Sequence, residues 1–342
     1  MNRRPSSFSM LLSRHTRRRE FIAGLAGAAA WPFAARGQQS GMPVIGFLHP
    51  ASIDVLADRV RAFRQGLKDT GFIEGENVAV EYRWAEDQTE RLPALAAELV
   101  RRRIAVIAAV GGNLPLLAAK TATTTIPVVF AVGEDPVGLG LVESIARPGG
   151  NLTGINFLAA ELHAKRLGLL RELVPNAARV AVLISPGNAL NAETTLRDVQ
   201  AASGAVGLQI HIIRASTSQE IDAGFATMEG KRPDALLVGG DPFFNSRRVQ
   251  LALLAARHAV PTIYASREYA EIGGLISYGP NFLDAFRNVG VYVGRILKGA
   301  KPADMPIEQS TRFELVINLQ AAKVIGYEVP AGFLLRADEV IE

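Results

Sequence analysis

Short continuous apolar runs alternate along this chain with longer stretches in which apolar residues return every three or four positions. Residues 43–48, 104–110 and 127–132 are runs of the first kind, bounded by turn residues. Strands buried on both faces of a parallel sheet read this way. Residues 55–70 are of the second kind: Val60, Phe63 and Leu67 fall at i, i+3 and i+7, and Gly71 stops the helix. Residues 77–82 alternate like a strand, 92–102 and 114–121 read as helices, and 137–146 reads as a helix leading to the middle of the chain.

There the grammar changes. Pro148-Gly149-Gly150-Asn151 cannot continue a helix, because Pro lacks an N–H and Gly and Asn tolerate left-handed turns. The extended residues 152–157 then read as a crossover into a second set of the same units. Its helices are expected at 160–174, 193–206, 220–228 and 244–258, and its strands at 180–185, 209–213, 235–239 and 262–265. Residues 274–279 look like a second crossover, 282–297 like a long helix returning to the first half, 313–317 like a final strand, and 319–325 like a short helix. Strands separated by helices imply right-handed connections and parallel sheets. The expected class is α/β, with two doubly wound parallel-sheet lobes joined by a multi-crossover hinge. Residues 43–152 with 280–311 form the first lobe, and 153–279 with 312–342 the second.

The chain has 342 residues, 49% of them hydrophobic, enough for two domains with full cores. With no cysteine, disulfides, thiolate metal sites and cysteine nucleophiles are excluded. Arg17-Arg18-Arg19-Glu20-Phe21-Ile22 fits a twin-arginine leader, followed by an apolar stretch and by Ala35-Arg36-Gly37, where a signal peptidase can cut. Residues 1–37 are therefore read as a signal peptide and the mature protein as periplasmic. That leader holds seven of the 37 Lys and Arg and one of the 33 acids, so the mature chain has 30 basic and 32 acidic residues, a formal −2. The basic character belongs to the leader, and no nucleic-acid footprint remains.

Ligands of open α/β sheets sit beyond the carboxyl ends of the strands. Those ends carry Ala51 and Ser52, Gly111-Gly112-Asn113, Glu134-Asp135-Pro136, Ser185 and Asn188, Gly240-Asp241-Pro242, and Tyr269. Asp135 and Asp241 each precede a Pro and so can simply cap helices. Gly239-Gly240 lets a ligand approach Asp241, whose carboxylate can hold an ammonium. Ser52, Asn113, Ser185 and Asn188 offer hydroxyl and amide contacts, and Phe243, Phe244, Tyr269 and Tyr278 can wall an apolar pocket. Nothing assembles an enzyme. The four histidines beyond the leader (His49, His163, His211, His258) lack metal-ligand spacing, and no nucleophile elbow, P-loop or dinucleotide fingerprint is present. No cofactor is expected.

Pro43–Leu48, Gly133-Glu134-Asp135-Pro136-Val137-Gly138, Arg147-Pro148-Gly149-Gly150-Asn151-Leu152-Thr153-Gly154, Leu297-Lys298-Gly299-Ala300-Lys301-Pro302 and Phe313–Asn318 together carry a resemblance. In that order, and over essentially the whole mature chain, the protein resembles substrate-binding proteins of ABC importers, in the group with tryptophan- and tyrosine-binding members. The resemblance implies a type I periplasmic-binding fold, a monomer, three crossovers, and one small ligand trapped between lobes for an ABC permease and its ATPase. By position it implies a ligand shell of Ala51, Ser52, Asn113, Glu134, Asp135, Asn156, Ser185, Asn188, Asp241 and Tyr269. Where the amino-acid binders tend to carry hydroxyls this chain has Gly111-Gly112 and Gly133-Glu134, which leaves another amphipathic ligand open. The same fold also serves as a ligand sensor for a membrane receptor or kinase; permease and ATPase genes beside this one would argue for transport.

Overall fold

The computed structural model describes residues 41–342, without the side chains at 159–161, 205, 206, 229 and 231. The expected leader lies outside the described residues. The first half runs β1 (Val44–His49), α1 (Ala57–Asp69), β2 (Ala79–Trp84), α2 (Leu92–Arg101), β3 (Val106–Val110), α3 (Asn113–Ala122), β4 (Val128–Val132) and β5 (Leu152–Asn156). The second half continues with α4 (Ala159–Leu173), β6 (Arg179–Ile184), α5 (Ala189–Val206), β7 (Gln209–Arg214), α6 (Ser218–Lys231) and β8 (Ala235–Val238). After these come α7 (Pro242–Ser246), α8 (Arg248–Arg257), β9 (Thr262–Tyr264), α9 (Arg267–Glu271) and β10 (Ile276–Pro280). The chain closes with α10 (Phe282–Leu297), β11 (Glu308–Gln309), β12 (Phe313–Asn318), α11 (Leu319–Val324), α12 (Ala331–Leu334) and β13 (Glu339–Ile341).

Two sheets organise these elements. The first has the order β11-β5-β4-β3-β1-β2, with every pairing parallel. Helices cover both of its faces, so β3 and β4 bury every residue, which is why they read as unbroken apolar runs. The second has the order β13-β12-β10-β9-β8-β6-β7, parallel except where β10 meets β12. Strand order reverses between β1 and β3 in one sheet and between β6 and β8 in the other. Such switch points leave a crevice at the carboxyl ends of the strands.

Three departures from the sequence reading have physical causes. Residues 137–146 form turns instead of a helix: Gly140 has φ +63°, and Leu139, Gly140 and Leu141 donate to Asp135, Val137 and Pro136 carbonyls. The helix expected over 244–258 starts earlier and breaks into α7 and α8, with Arg247 at φ −104° and ψ 17°. Residues 152–156 are a strand of the first sheet, register-paired with β4, so the chain leaves that sheet after Asn156. Likewise 276–280 is a strand of the second sheet, and the crossing comes after Pro280. The third crossing follows Gln309, where the Ser310 N–H still reaches the Asn156 carbonyl at 2.9 Å.

Helix α10 is the long-range element of the first lobe. Asn281 caps it by accepting the Asp284 N–H, and Phe286, Val289 and Val293 pack into the same cluster as Phe47, Val60 and Phe63. Its approach to α1 is so close that a Cβ on Gly290 would collide with the Phe63 carbonyl, and one on Gly66 with the Arg287 carbonyl. Gly290→Val is therefore expected to separate the helices at an overpacking cost of about 1–3 kcal/mol. Urea unfolding should show a lower midpoint with an unchanged slope; an unaltered midpoint would mean the contact is not close in solution.

Candidate functional site

A cavity lies between the carboxyl ends of the two sheets. Its volume is about 110 Å³, room for several waters. The first lobe supplies His49, Ala51, Arg59, Gly111, Gly112, Gly133 and Glu134, and the second supplies Leu162, His163, Arg166, Asn188, Asn191, Asp241 and Tyr269. Phe157, Phe282 and Phe286 wall the crossover side. Most of the lining is apolar, with a few charged and amide groups set into it, the usual make-up of a small-molecule site.

Five of the ten residues expected in the ligand shell meet here: Ala51, Glu134, Asn188, Asp241 and Tyr269. The other five do not line the cavity. Ser52 is half-buried at the N-cap position of a short turn, without a side-chain cap bond. Asp135 is exposed, and its Oδ1 accepts the Val137 N–H at 2.9 Å, so it holds the turn that replaced the expected helix. Ser185 lines an adjoining crevice of about 50 Å³ that shares Asn188 and Asp241 with the main cavity. Asn113 opens α3 just after the lining Gly112, buried, with neither amide atom partnered among the described residues. Asn156 sits at the first crossover, donating to the Glu134 carbonyl at 2.6 Å and accepting the Leu158 N–H at 2.9 Å. It orients the cavity wall from behind.

Asp241 lies at the end of β8 and is buried. Its Oδ1 caps α7 by accepting the Phe243 N–H at 2.9 Å, and its Oδ2 accepts from Asn188 Nδ2 at 3.0 Å. Burial pushes its carboxyl up to about 6, only partly offset by those two hydrogen bonds. No cation pairs with it among the described residues. His49 is buried too, and its Nδ1 accepts the Ala51 N–H at 3.0 Å. The proton therefore sits on Nε2, which has no partner. Burial holds this imidazole well below its ordinary pKa, and so neutral. Gly111 makes the fit possible: at φ +95°, any Cβ would run into the His49 ring.

Three contacts tie the lobes across the cleft. Arg59 of α1 donates from Nε at 3.0 Å and Nη2 at 2.7 Å to Glu268 Oε1 of α9, while its guanidinium lies 4.3 Å over the Phe282 ring. Burial pushes the Glu268 carboxyl up, but the Arg59 charge together with the hydrogen bonds to the carboxylate more than offsets this, and the net shift is downward. Asp87, beyond β2, accepts from Ser246 Oγ at 2.9 Å and pairs with Arg247 at 3.3 Å. Asn191 Nδ2 donates to Glu134 Oε1 at 3.2 Å.

Sequence reasoning missed Arg59, Leu162, His163, Arg166, Asn191, Asn245 and the Phe walls. For α4 a signal existed: His163 and Arg166 interrupt the apolar positions Leu162, Leu167 and Leu170 of a buried helix. Polar residues on such a face need a reason. Arg59 gave none, since it sits among the charged residues of an amphipathic helix.

Among the described residues no helix is long and apolar enough to cross a membrane, and no group of three or more His, Cys, Asp or Glu converges as a metal site. The family described as ABC transporter substrate binding protein matches residues 44–341. A tyrosine-binding protein of Clostridioides difficile is 24% identical over 269 residues, covering 78% of this chain and 76% of its own. An ABC domain from Streptococcus pneumoniae, solved in complex with L-Trp, superposes with a TM-score of 0.79 at 25% identity, covering 88% of this chain and 100% of that one. The ligand-free, open structure of a substrate-binding protein with adhesive properties from Clostridium difficile gives a TM-score of 0.62 at 24% identity, covering 88% and 99%. The architecture is the type I periplasmic-binding fold.

The buried acid makes the empty site pH-dependent. Asp241 holds its proton more tightly folded than unfolded, so its contribution is full below about 4 and is lost as pH rises through about 6. In ligand-free protein, Asp241→Asn is expected to melt higher than the parent at pH 7, by on the order of 3 kcal/mol in stability, and the gap should close at pH 4. Thermal melts across that range check it; parallel curves would mean the carboxyl titrates normally.

Proposed function

Because the chain belongs to the ABC transporter substrate binding protein family, we propose that it is the exported receptor of an importer. It traps one small amphipathic solute between its sheets and hands it to a membrane permease coupled to an ATPase. The observation that carries this reading is the cavity walled by both lobes and bridged by the Arg59–Glu268 pair. A solute that touches both walls stabilises the bridged form over one with the lobes apart, which is how a ligand shifts such an equilibrium. The bridged form is then the shape a permease distinguishes. The twin-arginine leader supports export to the periplasm.

An amino acid or a similar molecule suits the walls. The relatives named for tyrosine and bound to tryptophan support that class, as does Asp241, a buried carboxylate with no cation beside it. Ala51 and Tyr269 supply apolar surface, while Glu134, Asn188 and Asp241 supply polar contacts. Asn156 acts through the crossover it braces.

Two measurements test this. Small-angle scattering of the full chain, freed of carried-over ligand by partial unfolding, should show compaction when a solute binds. Glu268→Ala should weaken that binding at least tenfold, because it leaves Arg59 without its counter-charge only when the lobes are together. Calorimetric titration should show Asp241→Ala weakening an ammonium-bearing solute by more than tenfold. Binding without compaction would sink the trapping mechanism; unchanged affinity in Asp241→Ala would sink the ammonium role alone.

A further inference from the structure

Arg166 is the one charged group of the cavity that the reading above leaves idle. It projects from α4, which follows the first crossover, and is 3% exposed. Its Nε donates to the Tyr278 carbonyl at 2.7 Å, in the middle of β10. A Cβ on Gly279 would lie 3.5 Å from its Nη2, so the guanidinium rests against bare backbone. No carboxylate pairs with it among the described residues, in contrast to Arg59, which Glu268 holds. Burial lowers its pKa to about 10, far above neutrality, so the group is charged as it stands. Taking a guanidinium out of water without a counter-ion is costly. One N–H of the five is used, and the fork formed by the two Nη groups matches a carboxylate.

The position adds a length. Strand β9 separates β8 from β10, and the registers place Gly239, Ala265 and Tyr278 side by side across the sheet. Asp241 follows β8 and leans toward Asn188, beyond β6, while Arg166 sits over β10. Two strand spacings amount to about 10 Å. The ammonium and carboxylate of an α-amino acid share one carbon, whereas a longer solute can present a cation by Asp241 and an anion by Arg166 from separate ends.

We propose that Arg166 anchors an anionic group of the solute, so that the ligand is an elongated acid with its carboxylate over β10 and any cationic group at the far end by Asp241. This rests on the solute-receptor reading and narrows it. The apolar lining between the two ends, Leu162 and Phe157 included, takes the body of such a molecule.

Matched probes separate the alternatives in a thermal-shift assay on the full chain. Hexanoate and 3-phenylpropanoate are each compared with the primary amide, and 6-aminohexanoate with norleucine, its isomer bearing both charges at one carbon. A ligand that binds only the folded protein raises the melting midpoint. The expected result is a rise with at least one acid and at least tenfold weaker binding of its amide, with 6-aminohexanoate above norleucine. Arg166→Gln should abolish the acid's advantage over its amide while still folding, as far-ultraviolet circular dichroism would show. Arg166→Lys should keep part of it. Equal binding of acids and amides, an acid response that survives in Arg166→Gln, or no response to any acid would each overturn the assignment. Compaction of the protein by a neutral solute would overturn it too, and would leave the receptor reading standing.

Discussion

Charge removed from water has to be answered by charge, and this constraint shapes the space between the two sheets. Arg59 is buried because Glu268 comes from the opposite lobe to meet it and Phe282 lies under its flat face. Neither lobe satisfies the group alone. Asp87 with Arg247, and Glu134 with Asn191, repeat the arrangement in weaker form at other points of the rim. At the rim, Arg59 and Asp87 thus meet an opposite charge and Glu134 an amide from the other lobe. Asp241 and Arg166 in the cavity have hydrogen bonds but no opposite charge among the described residues.

The scaffold that holds these groups in opposition is fastened near its crossings. Asn156 fastens the first crossover to the loop carrying Glu134, Arg166 fastens α4 to the strand before the second, and Glu314 accepts from both Arg267 and Asn281 beside the third. Each crossing is thus held by side-chain hydrogen bonds, and of these side chains Arg166 also lines the cavity.

Most of the architecture was legible in the sequence because buried parallel strands and amphipathic helices have distinct periods. The failures were local. Gly138 and Gly140 broke a pattern that looked helical over 137–146, and Asp135 turned out to close a turn. Residues 152–156 looked like a connector because Pro148-Gly149-Gly150 precedes them, yet their pairing with β4 is set by tertiary register. Strand ends located Ala51, Glu134, Asn188, Asp241 and Tyr269, since loops after parallel strands converge by topology. Arg59 and Arg166 escaped because their role depends on which lobe each helix faces, and that is fixed by contacts hundreds of residues apart in the case of Arg59 and Glu268.

The glycine-to-glycine seam between α1 and α10 bears on how the chain comes off the ribosome. The cluster around Phe47, Val60 and Phe63 is completed by Phe286, Val289 and Val293, so the amino-terminal lobe stays open on one side until residues near 297 have been synthesised. Its first five strands are made long before the helix that seals them. Throughout that interval the apolar face lacks its cover, and surface of this kind is what makes partly folded chains prone to aggregate.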